Sequence, residues 1–434
     1  MSLGVAARLL VQRRFAPLMT AQALGAFNDN LFRFALVNLA TFQGLTIFGL
    51  ERELMVPIAA TALTLPIFLF SAVAGQVADK YDRAFIMRRA KFVEIFLMVA
   101  AGIGFFLNSG LMLVIVLFFM GMQSAFFAPA RNAALPTLLH GKELVTGNAL
   151  VSGTLNVAIL SGAALAVVFV VREDAARVLT FTLVGVAIVG WLVMWLNSPA
   201  PADSRDLKIS WNIVAQTWKV LGFAFRAPDV LRPLLGAAWF WMLAASVLTL
   251  MPLFTAAVLG GDETVGLALT ALFTVGAAAG AILCGVFTRG QDALIFTVVG
   301  AFGLVIFPSF VALTTLGWPE PDPEALASAD AFLADPGNWP ILAALALSAV
   351  SAGLFVVPLQ AMAQRRAKPE VRGRILAAGG IMNAASASLG QFTLFAIALL
   401  ALPLQAAFGY IAIVSGLAGL FALWRMMRPG RYTE

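Results

Sequence analysis

The chain has 434 residues, 61% hydrophobic and 12% charged, with a mean hydropathy of +0.93 and a formal charge of +6. A soluble domain carries roughly 25% charged residues, and its surface does not shrink fast enough with size to hide this much apolar area. The composition excludes a soluble globular protein and makes lipid the solvent, where long apolar runs are helices because the backbone must satisfy itself.

Arg8, Arg13 and Arg14 lead into an apolar stretch that holds Asp29. That stretch is too long for a cleavable signal peptide and reads as a retained first span. Apolar windows predict spans near 17–43, 54–78, 91–107, 110–128, 147–171 and 178–196, then 233–258, 264–288, 293–316, 340–363, 375–400 and 403–424. The organisation expected is an N-terminal half over 1–196, a linker over 197–232 and a C-terminal half over 233–434. With the N-terminus placed inside, 24 of the 28 Lys and Arg fall in cytoplasmic segments, three fall outside and one, Arg33, lies within a span. The positive-inside rule asks for this asymmetry, so both termini are expected in the cytoplasm of a bacterial inner membrane. Arginine outnumbers lysine 22 to 6, a composition that hints at a GC-rich bacterial genome.

In the linker, Trp211, Val214, Trp218, Leu221 and Phe225 recur at helical spacing, which predicts an amphipathic helix at the membrane interface. The segment 317–339, with Glu320, Asp322, Glu324, Asp330 and Asp335 and no basic residue, is expected to form a solvated, partly flexible external cap. The basic residues are spread over short loops and make no stripe with interleaved aromatics, so no nucleic-acid partner is expected. Cys284 is the one cysteine, which rules out an intramolecular disulfide. An enzyme is not expected. The single histidine, His140, has Val145 where a glycerolipid acyltransferase core needs an acid, and neither metal-ligand spacing nor a phosphate-cradling loop occurs. No cofactor or metal is called for.

The halves echo each other. Phe127-Ala-Pro129-Ala closes the fourth span and Phe355-Val-Val-Pro358-Leu-Gln360-Ala the tenth, and each is followed by a basic loop and a glycine-led span, at Gly147-Asn148 and Gly373-Arg374. Two parallel six-helix halves joined by a long loop are the major-facilitator arrangement, with substrate bound between them. Gly75-Gln-Val-Ala-Asp79-Lys-Tyr-Asp82-Arg83 resembles that superfamily's signature loop, with Asp82 in place of the second glycine. The resemblance implies an all-α membrane protein of about 12 transmembrane helices and a gate that includes Gly75, Asp79, Arg83 and Arg131. Gly75 would allow close helix approach, and Asp79 and Arg83 would sit in a solvated loop.

Ala26-Phe27-Asn28-Asp29-Asn30-Leu31-Phe32, Pro129-Ala-Arg131-Asn-Ala-Ala-Leu-Pro136, Gly147-Asn148-Ala149-Leu150 and Phe355-Val-Val-Pro358-Leu-Gln360-Ala361 together resemble the bacterial lysophospholipid transporter family, including the transporter half of transporter–acyltransferase fusions. This implies movement of lysophospholipids toward the cytoplasmic leaflet by alternating access. A facilitator for another amphiphile, drug or siderophore is the alternative, and a scaffold that docks a soluble acyltransferase is a third. Membrane lipids and a cytoplasmic acyltransferase are the implied partners, and a monomer is expected. Unlike the family pattern, the seventh span carries no charge, and Asn383 to Gly390 offers only Asn383, Ser386 and Ser388 as polar groups.

The deep ionisable groups are Asp29 and Arg33, four residues apart and able to pair on one helix face. Each is expensive at the bilayer centre, about 2.5–3.5 kcal/mol on insertion scales, so function is the default expectation. Asn28, Asp29, Asn30 and Arg33 are therefore the substrate or coupling candidates, with Asn156, Gln360 and Asn383 on other spans. Asp29 suits an amine, or a proton or sodium ion, and Arg33 suits a phosphate. Gln22, Asn38, Gln123 and Gln391 are expected to be interhelical hydrogen bonds more often than ligands. Lys91 and Glu94 are expected at the cytoplasmic gate or interface, Gly276-Ala-Ala-Ala-Gly280 at a close helix crossing, and Trp239 and Trp241 either as interface anchors or in a cavity lining.

Overall fold

A computed structural model of the chain describes residues 8–139, 142–202, 206–288, 294–367 and 372–427. His140 lies outside these residues, as do the side chains of Val145 and Asn148. Among the described residues, twelve helices of 21 to 29 residues dominate. Even the shortest reaches about 31 Å at 1.5 Å per residue, enough for roughly 30 Å of hydrocarbon. The chain divides into two compact units, Met1–Lys219 and Val220–Glu434.

The first unit holds α1 (Ala16–Phe42), α2 (Arg52–Lys80), α3 (Arg83–Phe106), α4 (Gly110–Leu138), α5 (Lys142–Val170) and α6 (Ala175–Trp195). The third helix starts eight residues before the expected boundary, because its basic first turns are satisfied in place. Asp82 caps it, accepting from Phe85 N at 2.8 Å and from Ala200 N at 3.1 Å. Arg83 donates its N–H to Ala200 O at 2.8 Å and its Nη1 to Pro201 O at 3.0 Å. Arg88 reaches Met194 O and Asn197 O at the end of α6, where helix carbonyls lack partners and attract cations. Gln76 holds Ser210 in both directions, at 3.1 and 3.4 Å. The start of the linker is thus clasped to the α2–α3 turn.

Helix α7 (Ile213–Phe225) follows. Trp211, Val214, Trp218 and Phe225 are exposed, as an interfacial face requires. Leu221 departs from that expectation: it is half-buried with Val220 beside a cluster of Ala224, Val230, Leu234, Ile375 and Ala378.

The second unit holds α8 (Pro228–Phe254), α9 (Glu263–Thr288), α10 (Leu294–Thr315), the short α11 (Ala329–Ala334), α12 (Trp339–Arg366), α13 (Arg372–Leu399) and α14 (Gln405–Met427). A π-helical turn, Thr255–Leu259, extends α8 and ends at Gly260, whose φ of 66° suits glycine. The core is apolar, built on Leu243, Leu250, Phe254, Leu304 and Phe355. A Cβ on Gly280 would collide with Val350 O and one on Gly353 with Ala277 O, so α9 and α12 meet backbone to backbone at the expected Gly276–Gly280 crossing.

The segment 317–339 is more ordered than its composition suggested. Ala327 exchanges backbone hydrogen bonds with Gly260 and Asp262, and Phe332 of α11 is 3% exposed in the core. One buried phenylalanine anchors a segment whose charges stay in solvent.

Among the described residues, ten helices are apolar enough throughout to qualify as spans by composition. The two long helices outside that group are α1, with Asn28, Asp29 and Arg33, and α3, with Lys91 and Glu94.

Candidate functional site

In the first unit α1, α3, α4 and α6 enclose a polar network. Gln22, Gly25 and Asn28 lie three residues apart on one buried line of α1. Lys91 and Glu94 of α3 form an ion pair at 2.7 Å with side chains 2% and 3% exposed. Glu94 also accepts from Asn28 Nδ2 and from Gln123 Nε2, each at 3.4 Å. Asn28 Nδ2 further donates to Leu183 O of α6 at 3.1 Å, and Gln123 Nε2 to Ala90 O at 3.2 Å. Lys91 Nζ lies 5.5 Å from the centre of the Phe127 ring. Its ammonium occupies the space a side chain on Gly25 would need.

Taking an ion pair out of water costs several kcal/mol per ion, and three donors on one carboxylate are the compensation this network supplies. Lys91 and Glu94 therefore do not belong to a solvated gate or interface. Helical spacing turns both inward, where α1 leaves room at Gly25. Asn28 Oδ1 and both amide atoms of Gln22 are buried without a partner among the described residues.

Asp29 sits beside this network and is half-buried, its Oδ2 accepting from Ser124 Oγ at 3.3 Å. Ser124 Oγ is also 3.4 Å from Gln123 Oε1, so its one hydroxyl proton goes to one acceptor or the other, beside the Gln123 amide that donates to Glu94. The expected Asp29–Arg33 ion pair is not formed among the described residues. Arg33 Nη2 donates instead to Asn30 Oδ1 at 3.1 Å, and its guanidinium lies 4.5 Å from the Phe34 ring centre. Asn30 is fixed in turn by Nδ2 donation to Ala26 O at 2.7 Å. A nearer amide on the same face takes the arginine and leaves the carboxylate to serine.

The remaining candidates are dispersed. Asn156 and Gln360 are exposed. Asn383, with its amide oriented to match its neighbours, donates to Gly379 O and accepts from Trp241 Nε1, both at 3.2 Å. Trp239 is buried edge-on to Tyr410, whereas Trp241 is 42% exposed. Asn38 bonds Phe34 O within its own helix. Gln391 is buried, with its Oε1 unpartnered among the described residues.

The gating candidates fare unequally. Asp79 is exposed, but it lies in the last turn of α2 and not in a loop. Arg83 is 1% exposed in the first turn of α3, so it is not a loop residue. A Cβ on Gly75 would meet open space, which removes close approach as its reason for being glycine. Arg131 is half-buried on α4 and donates to Asn132 Oδ1 at 2.9 and 3.0 Å. The Lys91–Glu94 pair is what sequence reasoning misplaced. Its signal was two opposite charges at i, i+3 inside an otherwise apolar stretch.

The Major Facilitator Superfamily model matches residues 18–391. The lysophospholipid transporter LplT of Escherichia coli O1:K1 is 26% identical over 409 residues, covering 93% of this chain and 92% of that protein. Among solved structures, a POT family transporter in complex with a thioalcohol-conjugated peptide superposes with a TM-score of 0.68 at 13% identity, covering 93% of this chain and 95% of that one. The nucleoside transporter NupG does so with a TM-score of 0.62 at 12% identity, covering 95% and 99%. These two share the fold at identities too low to speak of substrate. With twelve long helices among the described residues and a match across most of its length, this chain belongs to the major facilitator superfamily.

Proposed function

We propose that the chain is a lysophospholipid transporter that carries single-chain phospholipids across the inner membrane toward the cytoplasmic leaflet. Both termini lie in the cytoplasm, in keeping with the basic loops. The observation that carries this is the arrangement on α1. A half-buried carboxylate, Asp29, and a half-buried guanidinium, Arg33, stand one turn apart without pairing to each other among the described residues, with Asn28 and Asn30 around them.

Ionisable groups within a spanning helix are expensive and mark ligand sites, so a carboxylate and a guanidinium held only by neutral partners suit a ligand that carries both charges. A zwitterionic headgroup does so, its amine at Asp29 and its phosphate on the planar fork of Arg33. Its single acyl chain stays in lipid or an apolar lining, which suits a chain with few deep charges. Similarity to the lysophospholipid transporter along 93% of the sequence supports the same substrate class. Asn156, Gln360 and Asn383 are secondary contacts, Gly75, Asp79, Arg83 and Arg131 belong to the gate, and the protein does no covalent chemistry.

Proteoliposomes containing the purified protein, given a panel of labelled lysophospholipids, diacyl phospholipids and soluble drugs, test this. Protein-dependent movement of lysophosphatidylethanolamine above the diacyl and drug signals is expected. Movement of a drug with no movement of any lysolipid would instead establish the facilitator for another solute.

A further inference from the structure

Outside the polar network, the first unit has an apolar groove of about 380 Å³ between the C-terminal end of α2, the first half of α3 and the middle of α4. Along α3 its lining runs from Phe85 to Leu97, about 18 Å at 1.5 Å per residue. Tyr81, Phe85, Val93 and Phe119 on its walls are 43 to 50% exposed, so it opens on the outside of the helices. Its one uncharged polar side chain apart from the tyrosine is Gln123, whose Nε2 already donates to Ala90 O and Glu94. A buried water needs two to four polar partners, which this groove lacks, so its occupant is apolar.

One end of the groove is cationic. The Arg89 guanidinium lies 5.2 Å from the Phe85 ring centre, and the Lys80 ammonium 5.7 Å from that of Tyr81. Among the described residues neither is paired with a carboxylate. Asp82, between them in sequence, accepts from the N–H groups of Phe85 and Ala200 instead.

We propose that this groove binds one acyl chain of an anionic membrane phospholipid, with the phosphate held by Arg89 and Lys80. An apolar channel of helical length with two cations at one mouth matches an amphiphile whose headgroup is a phosphodiester. Asp79 flanks Lys80 in sequence, but neither cation is in an ion pair among the described residues, so the two together favour a net negative headgroup over a zwitterionic one. The site is separate from Asp29 and Arg33, and it stands whether or not the protein moves lysolipids. Gln123 forms the wall between groove and network, so a bound chain packs directly behind the donors to Glu94.

Full-length protein in detergent micelles, titrated with phosphatidylglycerol and with phosphatidylcholine and read by native mass spectrometry, tests the assignment. One phosphatidylglycerol per chain is expected, bound more tightly than phosphatidylcholine by about fivefold for each cation engaged. Lys80→Gln with Arg89→Gln should erase that preference, and Val93→Trp should fill the groove and abolish retention of both lipids at an unchanged melting temperature. The double glutamine variant decides the matter if the tryptophan variant does not fold. Equal retention of the two lipids by wild type, or undiminished retention by Val93→Trp, would overturn the proposal. Displacement of phosphatidylglycerol by lysophosphatidylethanolamine at equal concentration would overturn it too, because the groove would then belong to the substrate.

Discussion

In the first unit the helices bury Lys91, Glu94, Asn28 and Gln123 against one another, whereas the second buries Ser246, Thr255, Thr270 and Ser351. Each of those four hydroxyls donates to the carbonyl four residues back in its own helix. Ser246 also meets Tyr410 Oη at 3.3 Å, but a back-bonded hydroxyl needs no neighbour and leaves the helix free to pack by shape. The buried ion pair lies within α3, and the amides that donate to Glu94 from α1 and α4 make the three helices depend on one another. Glycine follows the same division. Gly25 makes room for an ammonium, whereas Gly280 and Gly353 make room for backbone. The first interior sets its charges beside Asp29, and the second holds two helices close together.

Removal of Lys91 should break this pattern most severely. Lys91→Met leaves Glu94 buried without its cation, which destabilises by about 3–5 kcal/mol, read as a drop in thermal midpoint of the purified protein. Lys91→Met with Glu94→Leu should recover most of that loss, since an apolar pair of similar volume is often neutral. A double variant as unstable as the single one would show that the pair fixes the fold itself.

The second unit should respond to shape instead. Gly280→Val forces the α9–α12 crossing apart, and overpacking of this kind costs about 1–3 kcal/mol. Thr270→Val, which removes only a self-satisfied hydroxyl, should change stability least, by about 0.6 kcal/mol or less. If Thr270→Val proved as damaging as Lys91→Met, the contrast between the units would fail.

The span pattern was legible because apolar runs of membrane length admit few other structures. The start of α3 was not. Arg83, Arg88 and Arg89 look like loop residues until the carbonyls of 194–201 are seen to accept from the first two. Local sequence carries no record of that partner, more than a hundred residues away. Asp29 and Arg33 stood out because charge is rare in a span, yet their pairing was misjudged, since i, i+4 spacing permits an ion pair without enforcing it. Asn30 intercepts Arg33, and Ser124 from α4 takes Asp29. Lys91 and Glu94 were expected at the cytoplasmic gate or interface because they stand at the start of a predicted span. The earlier start of the helix is what carries them inside.

The central claim is that the carboxylate of Asp29 receives the headgroup, and Asp29→Asn tests it most directly by keeping the shape and removing the charge. Lysophosphatidylethanolamine translocation is measured in proteoliposomes for wild type, Asp29→Asn and Asn156→Ala, each matched for thermal midpoint. Asp29→Asn should fall to the protein-free background at an unchanged midpoint, while Asn156→Ala should weaken transport only partly. Translocation by Asp29→Asn at the wild-type rate would contradict the assignment of Asp29 as the headgroup site.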